Sequence, residues 1–137
     1  MADDEDSNDC KIVLIGESGV GKTSIITRLT KDEFSENQET TMGASYTTKV
    51  LQLKKFQNRE IKVNIWDTAG QEAYRSLTKI FYKEASIAIL VYDITKKDTF
   101  TEMKDYWYKQ LVEYGEPNVS KFIPLLSSFS SLWNCWK

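Results

Sequence analysis

The sequence predicts an α/β fold, with a mostly parallel sheet and helices on both of its faces, from three observations. The apolar run at 12–15 is typical of a buried strand, and a glycine-rich segment and a helical segment follow it directly. Strand patterns recur at 47–54, 60–66 and 85–92, and an amphipathic helix pattern occupies 99–114. Strands that alternate with helices favour a parallel sheet, to which the hairpin of the 47–54 and 60–66 strands adds one antiparallel edge.

The segment between the first strand and the first helix reads GESGVGKT over residues 16–23. This is the G-x-x-x-x-G-K-[ST] pattern of a phosphate-binding loop, in which glycines let backbone N–H groups approach phosphate oxygens. The helix N-terminus adds partial positive charge, Lys22 adds a mobile cation, and the Thr23 hydroxyl is a ligand for Mg²⁺. A glycine-rich turn without a ligand is the alternative, which the strand–loop–helix order disfavours. The candidate binding residues here are Gly16, Glu17, Ser18, Gly19, Val20, Gly21, Lys22, Thr23 and Ser24.

The later strands follow from their apolar patterns. Residues 31–46 are polar and aperiodic, which predicts a loop before the strand at 47–54. In the strand after it, apolar residues alternate with polar ones, and Asp67 ends that strand. The apolar run inside 85–92 is typical of a fully buried strand.

The helix predicted at 99–114 carries its large apolar residues at helical spacing. Thr99 or Asp98 is the expected N-cap, and Gly115 ends the helix. The large apolar side chains are expected in the core rather than around a ligand, and they are Phe100, Met103, Trp107, Leu111 and Tyr114.

A second polar cluster, WDTAGQE at residues 66–72, follows the strand at 60–66. Asp67 stands at the carboxyl end of that strand, where proteins with a phosphate loop place an aspartate that holds the water shell of Mg²⁺. Gly70 offers a backbone N–H to a γ-phosphate, and the Gln71 amide can orient an attacking water without a pKa near neutrality. A simple turn is the alternative interpretation, and the preceding phosphate loop disfavours it.

The composition excludes several kinds of chemistry. The 137 residues are 41% hydrophobic and 28% charged, as in an ordinary globular domain, and the net charge of −2 gives no indication of nucleic-acid binding. The chain contains no histidine, which excludes Ser-His triads and imidazole ligands or bases. Cys10 and Cys135 lie near opposite ends of the chain, which indicates neither a disulfide framework nor a zinc site and favours a reducing, cytoplasmic setting.

Residues 1–10 contain five acids and no base, which predicts a disordered acidic arm. This segment lacks the basic and apolar regions of a signal peptide. No apolar stretch of the sequence approaches the ~18 residues of a membrane span.

Together these motifs resemble those of the Ras superfamily of small GTPases, and specifically those of the Rab type. WDTAGQE matches the start of switch II in that superfamily, and LVYDIT at 90–95 matches a Rab segment outright. TMGASY at 41–46 and FYKEA at 81–85 stand where Rabs read close to TIGxxF and YYRGA. The resemblance covers residues 10–120, and it implies the P-loop NTPase fold of a small G domain and a GTP/GDP switch in vesicle trafficking.

The resemblance implies which residues hold the nucleotide and its metal. Residues 16–21 wrap the β-phosphate, Lys22 contacts the β- and γ-phosphates, and Phe34 packs against the guanine. The implied Mg²⁺ site comprises Thr23, Thr41 in the GTP state only, and Asp67 acting through water.

The resemblance also implies the catalytic and regulatory parts. Gly70 senses the γ-phosphate, Gln71 positions the hydrolytic water, and Lys22 assists at the phosphates. Residues 35–46 and 68–82 form switches I and II, through which an exchange factor, a GTPase-activating protein and effectors bind.

The sequence departs from the Rab pattern after about residue 120. The Asn-Lys-x-Asp motif, with which the family reads guanine, is absent, and no strand is predicted where one leads into it. The expected organisation is an acidic arm at 1–10, a partial small-GTPase domain at 11–120 that is incomplete at its C-terminus, and an atypical apolar tail at 121–137. Smaller departures are Ala73 and Lys83-Glu84, where Rabs usually have a basic residue and Arg-Gly.

Three interpretations of the tail remain open. It pairs weakly as a strand at the sheet edge, where Pro124 is tolerated, or it is an exposed, aggregation-prone segment. Alternatively it comes from a frameshift, a retained intron or a truncated gene model, which the abrupt end of the resemblance favours. Cys135 is third from the end rather than fourth, so the C-a-a-X prenylation pattern fails and a membrane anchor is not supported.

Two classes of function follow from these patterns. The first is a Rab-type GTPase switch, cytoplasmic, or at an endomembrane surface if a prenylated longer form exists. The second is a catalytically impaired fragment with weak guanine selectivity, which acts as a binding module for partners of the switches. An ATP-using P-loop protein is disfavoured, because WDTAGQE and LVYDIT belong to the GTPase pattern.

Overall fold

The structure, a computed structural model, describes residues 9–34, 44–70 and 74–123. Its centre is a five-stranded sheet of β1 (Asp9–Ile15), β2 (Ala44–Leu53), β3 (Arg59–Thr68), β4 (Ile87–Leu90) and β5 (Ser120–Phe122). The strands lie in the order β2-β3-β1-β4-β5. Only β2 and β3 pair antiparallel within this sheet, which confirms the predicted mostly parallel arrangement with one antiparallel edge.

Helical segments connect the strands. α1 (Lys22–Lys31) follows β1, and α2 (Arg75–Thr78) continues into a 3-10 segment (Lys79–Tyr82) before β4. A shorter 3-10 turn (Lys54–Phe56) joins β2 to β3. The helical stretch between β4 and β5 comprises α3 (Lys97–Glu102), a π-helical segment (Met103–Tyr108) and α4 (Lys109–Tyr114). Among the described residues, none of the helices is both long enough and apolar enough to cross a bilayer.

Helices cover both faces of the sheet, as predicted. Val13 and Ile15 of β1 point to one face, where they pack in a buried cluster with Trp107 of the long helical stretch. Leu14, between them, points to the other face and packs in a second cluster with Ile26 of α1. Because successive side chains of a strand point to opposite faces, β1 contributes to two separate cores, one on each side of the sheet.

The carboxyl ends of β1 and β3 are fixed side by side. Their register pairs Leu14 with Asp67. The Thr68 hydroxyl is fully buried and donates a hydrogen bond to the Leu14 carbonyl at 2.6 Å. Residues that follow β1 and residues at the end of β3 therefore meet at one edge of the sheet, where ligands bind in open α/β sheets.

The long helical stretch differs from the prediction in its start and its winding. It begins at Lys97 with Lys96 as N-cap, so the expectation of a cap at Thr99 or Asp98 is wrong. The Thr99 hydroxyl donates instead to the carbonyls of Asp93 and Lys96, at 3.0 and 2.7 Å, which ties the first turn of the helix to the loop that follows β4. The π-helical turns had no signal in the periodicity, because one wider turn shifts the pattern by a single residue.

Several strand boundaries also differ. β2 begins at Ala44, within the predicted loop at 31–46, and β3 continues through Thr68, so Asp67 does not end its strand. Asp9 and Cys10, assigned from sequence to the acidic arm, belong to β1, where Asp9 pairs with Lys62 of β3. Pairing with a neighbour extends each of these strands beyond its apolar core.

A short strand, β5, corrects the expectation that no strand follows the long helix. The Ser120 N–H donates to the Ser86 carbonyl at 3.0 Å, and the register pairs Ile89 with Phe122. Val119 just before the strand is buried in the core, whereas the three side chains of β5 are exposed. The interpretation of edge pairing therefore holds for residues 120–122, while 124–137 lie outside the described residues.

Candidate functional site

The loop at residues 16–21 connects the end of β1 to the start of α1. The N-cap of α1 is Gly21, which has no side chain that could cap the helix. The first turn of the helix contains no acidic residue. A helix start of this kind leaves backbone N–H groups and partial positive charge for an anion. Three glycines of the loop adopt positive φ, namely Gly16 at 151°, Gly19 at 78° and Gly21 at 100°.

Lys22 lies folded back over this loop. Its Nζ donates to the carbonyls of Gly16 and Glu17, at 2.9 and 2.7 Å, and its side chain is almost fully buried. Burial lowers the Lys22 pKa to about 8, against the opposing charges of Asp67 and Glu17. A desolvated ammonium with a third donor beyond those two bonds is well placed to bind an anion brought to the loop.

Thr23 and Asp67 bring two oxygen groups together from α1 and β3. The Thr23 hydroxyl donates to Asp67 Oδ2 at 2.5 Å, and Asp67 is 2% exposed. Within the described ranges, no group of three or more His, Cys, Asp or Glu residues is placed to hold a metal ion. Mg²⁺ commonly takes only one or two protein oxygens and completes its shell with water and phosphate, so the Thr23–Asp67 pair fits this cation.

Gly70 packs against the phosphate loop after leaving β3. A Cβ at this position would lie 2.3 Å from both the Glu17 carbonyl carbon and the Ser18 nitrogen, and 2.6 Å from the Gly16 oxygen. Only glycine permits this approach, which brings the chain that leads to Gln71 onto the loop.

Two further residues of the predicted loop and helix start are buried. Val20 packs in the core beneath the loop with Leu14, and Ser24 lies in the first turn of α1. Their burial anchors the loop from below. The loop, Lys22, Thr23, Asp67 and Gly70 thus lie together at one place, and their roles in binding remain predictions.

The remaining predicted site residues are Phe34, Thr41 and Gln71. Phe34 is half-buried and lies beyond the C-terminal end of α1, at the opposite end of a ten-residue helix from Lys22. At ~1.5 Å per residue that separation is about 15 Å along the helix. Thr41 and Gln71 lie outside the described residues.

Comparison with known proteins agrees with these observations. A family model described as Ras of Complex, Roc, domain of DAPkinase, matches residues 11–125. Ras-related protein Rab-22A of Canis lupus familiaris is 48% identical over 109 residues, which are 80% of this chain and 54% of that protein. Ras-related protein RABA1c of Arabidopsis thaliana is 45% identical over 118 residues, which are 86% of this chain and 53% of that protein. The chain therefore spans about half the length of the curated relatives it matches.

The chain belongs to the Ras superfamily, as a small GTPase domain of Rab type. The resemblance given by the motifs is thereby confirmed at the level of family.

An aromatic cluster marks one surface of this Rab-type domain. The Trp66 ring lies 4.8 Å from the Tyr46 ring and 5.1 Å from the Phe81 ring, measured between centroids. Tyr46 is 51% exposed, and Leu77 and Ile80 nearby in sequence to Phe81 are also exposed. The cluster joins the segments 35–46 and 68–82, assigned from sequence to the switches, through the β3 residue between them.

Three residues of this Rab-type domain contact one another at the site, and these contacts were not predicted from the sequence. The Glu17 side chain contacts Arg75 and Trp107, whereas the sequence assigned Glu17 only a place in the loop, Trp107 only to the core, and Arg75 no role. These residues are 58 and 90 positions from Glu17, so no local spacing carries the signal.

Proposed function

We propose that this chain is a GTP- and GDP-binding molecular switch that acts in vesicle trafficking. The observation that carries the proposal is the assembled phosphate site, in which Lys22 lies over the loop and the Thr23–Asp67 oxygens lie beside it. Membership of the Rab-type small GTPases supports guanine nucleotide as the ligand.

The phosphate groups would be held mainly by the backbone. N–H groups of residues 16–21 would contact phosphate oxygens, and the N-terminus of α1, which has no acidic residue in its first turn, would add partial positive charge. Lys22 would add its ammonium to the β- and γ-phosphates. Ser24 would contribute from the first turn of α1.

Thr23 and Asp67 would hold Mg²⁺, with Thr41 joining them in the GTP state. When bound, the cation neutralises charge that develops on the phosphates during transfer. Asp67 is suited to this because it is buried at the strand end and already accepts from Thr23.

Hydrolysis would use Gln71 to orient water toward the γ-phosphate, with Gly70 delivering that segment to the loop. Arg75 lies near the loop, but Glu17 and Glu102 both hold its guanidinium. A partner would therefore supply the arginine needed for fast turnover.

Partners would bind through residues 35–46 and 68–82. The Tyr46–Trp66–Phe81 cluster supports this, since Tyr46 is exposed and rests on the half-buried rings of Trp66 and Phe81, and aromatic residues are typical anchors of protein interfaces. The partner classes are an exchange factor, a GTPase-activating protein and effectors, at an endomembrane surface.

The decisive experiment identifies the base of the nucleotide that copurifies with the chain. Protein purified in Mg²⁺ is denatured, and the released nucleotide is separated by anion-exchange chromatography. We expect GDP or GTP from the wild-type chain and none from Lys22→Ala, with Lys31→Ala as the matched control at the exposed end of α1. Adenine nucleotide, or equal retention by Lys22→Ala, would contradict the proposal.

A further inference from the structure

The Glu17 carboxylate joins the phosphate loop to two distant parts of the fold. Its Oε1 accepts a hydrogen bond from Arg75 Nη2 at 2.5 Å and another from Trp107 Nε1 at 2.8 Å. Arg75 is the first residue of α2, and Trp107 lies in the π-helical segment. A single oxygen atom therefore links the loop, the segment that follows Gln71, and the long helical stretch.

The contacts around Arg75 depend on the shape of its guanidinium. Its Nη2 also lies 3.1 Å from Glu102 Oε2, and its Cζ lies 4.4 Å from the centre of the Tyr106 ring and 5.6 Å from that of Trp107. Arginine offers a planar fork of donors and a face that stacks on aromatic rings, whereas lysine offers a point charge. The π-helical winding places consecutive aromatic residues, in edge-to-face contact at 5.0 Å, under this one group.

The Glu17–Arg75 ion pair is mostly shielded from solvent, so the loss of either partner should have a large effect. The Glu17 and Arg75 side chains are only 22% and 20% exposed, while Glu102 is 43% exposed. When one partner of a mostly buried ion pair is removed, the other is left as an uncompensated charge and its surroundings open. Glu17 is the inner partner, so its loss should release Arg75 more than the loss of Glu102.

We propose that Glu17 is a positioning residue, which clamps Arg75 and thereby holds the start of α2 against the phosphate loop. Arg75 lies four residues after Gln71 in the sequence. The clamp therefore fixes the position of the chain shortly after the glutamine that is proposed to act in hydrolysis. The inference rests on the proposed function for its consequence in hydrolysis, but the clamp itself is a property of the fold.

Hydrogen–deuterium exchange of the 137-residue chain tests the clamp without any ligand. The variant Glu17→Gln keeps the volume and an acceptor for Trp107 but removes the charge. We expect amide exchange in peptides covering 74–82 to rise by about tenfold, as in a local opening, with strands β1 and β4 unchanged. Asp105→Asn is the matched control, because among the described residues Asp105 forms an ion pair with Lys104 alone, and both are exposed on the same helical stretch.

A double-mutant cycle separates a clamp from two independent effects. Arg75→Gln should raise exchange as much as Glu17→Gln, and the double variant should be no worse than the stronger single. Arg75→Lys keeps the charge but loses the fork, so it should restore only part of the protection. Unchanged exchange at 74–82 in Glu17→Gln, or effects that multiply in the double variant, would overturn the proposal. If strand β1 also loses protection, Arg75→Lys distinguishes a clamp from a general loss of folding. A clamp predicts that this variant retains part of the protection at 74–82, and a general loss of folding predicts that it retains none.

Failure of the clamp and failure of the nucleotide switch give different results. Nucleotide content of the wild-type chain reports the switch alone, whereas the exchange pattern reports the clamp alone. If both hold, Arg75→Gln should lower single-turnover phosphate release at saturating GTP by about tenfold while GTP affinity shifts less, which marks loss of a transition-state contribution.

Discussion

The phosphate-loop end of this domain and its β5 end are built in opposite ways. At the loop, Lys22 and Asp67 are almost fully buried, and hydrogen bonds join α1 to β3 and the loop to α2. At β5, three residues pair, within the described part of the chain, with β4 alone, and all of their side chains are exposed. The proposed phosphate site is therefore preorganised by several elements, whereas β5 rests on its pairing with β4.

This difference ranks the effects of substitution. Changes at the loop remove interactions that several elements position together, so they should alter binding strongly. Changes at β5 affect a strand held by one neighbour, so they should alter little. We therefore expect the strongest effects at the loop and the weakest at β5.

The variant Lys22→Ala should abolish measurable nucleotide binding. Loss of charge-assisted hydrogen bonds to phosphate weakens affinity by about 100-fold or more. Isothermal titration calorimetry with GDP and Mg²⁺ checks this, with Lys31→Ala as the control. Equal affinity of Lys22→Ala and wild type would remove the loop from the site.

The variant Gln71→Leu should slow hydrolysis while leaving nucleotide bound. Intrinsic turnover of the wild type is expected on the order of 10⁻⁴ to 10⁻² s⁻¹, and the loss of the amide that orients water should lower it further. Single-turnover phosphate release measures the rate. A rate that does not change would exclude Gln71 from the mechanism.

The variant Gly70→Ala should destabilise the loop end. The new Cβ would lie 2.3 Å from the backbone of Glu17 and Ser18, so the free energy of unfolding should fall by about 1–3 kcal/mol, as for overpacking. Chemical denaturation measures it. In the control Gly19→Ala the Cβ meets nothing within 4 Å, so only strain from its φ of 78° remains. If Gly70→Ala lowers the free energy of unfolding no more than Gly19→Ala does, Gly70 does not pack closely against the loop.

Base selectivity of the 137-residue chain should be modest. Its sequence contains no Asn-Lys-x-Asp motif, and an aromatic contact from Phe34 distinguishes guanine from adenine poorly. Preference for GDP over ADP should stay below about 100-fold, against 10⁴ or more for a site that hydrogen-bonds the base edge. Competition binding measures the ratio, and replacement of residues 121–137 by a complete Rab C-terminal half should raise it. Strong guanine selectivity of the 137-residue chain itself would contradict this expectation and show that the chain forms a base pocket without that motif.

The variant Phe122→Ala should have the smallest effect. Phe122 is 59% exposed in β5, so its truncation should change the free energy of unfolding by less than about 0.5 kcal/mol. Val119 lies three residues before Phe122 and is buried, so Val119→Ala is the matched comparison. It should lower the free energy of unfolding by more than Phe122→Ala does. Equal costs would show that β5 is better covered than its exposure indicates.

Most of the sheet, and the strand–loop–helix order around residues 16–23, could be predicted from the sequence, because their signals are local. The loop pattern at 16–23 needs only a strand before it and a helix after it, and both were readable from apolar periodicity. The boundaries of β2 and β3 were less predictable, since pairing across the hairpin extends them past their apolar residues to Ala44 and Thr68.

The α/β class, the Rab-type motifs and the placement of Lys22, Thr23 and Asp67 beside strands follow from the sequence, because each depends on residue type within a short window. The contacts of Glu17 with Arg75 and Trp107 do not, since they span 58 and 90 residues and form only when the chain is folded. The pairing of β5 with β4 is of the same kind. A three-residue strand at an edge has no periodicity of its own, and it forms because β4 presents free backbone groups to it.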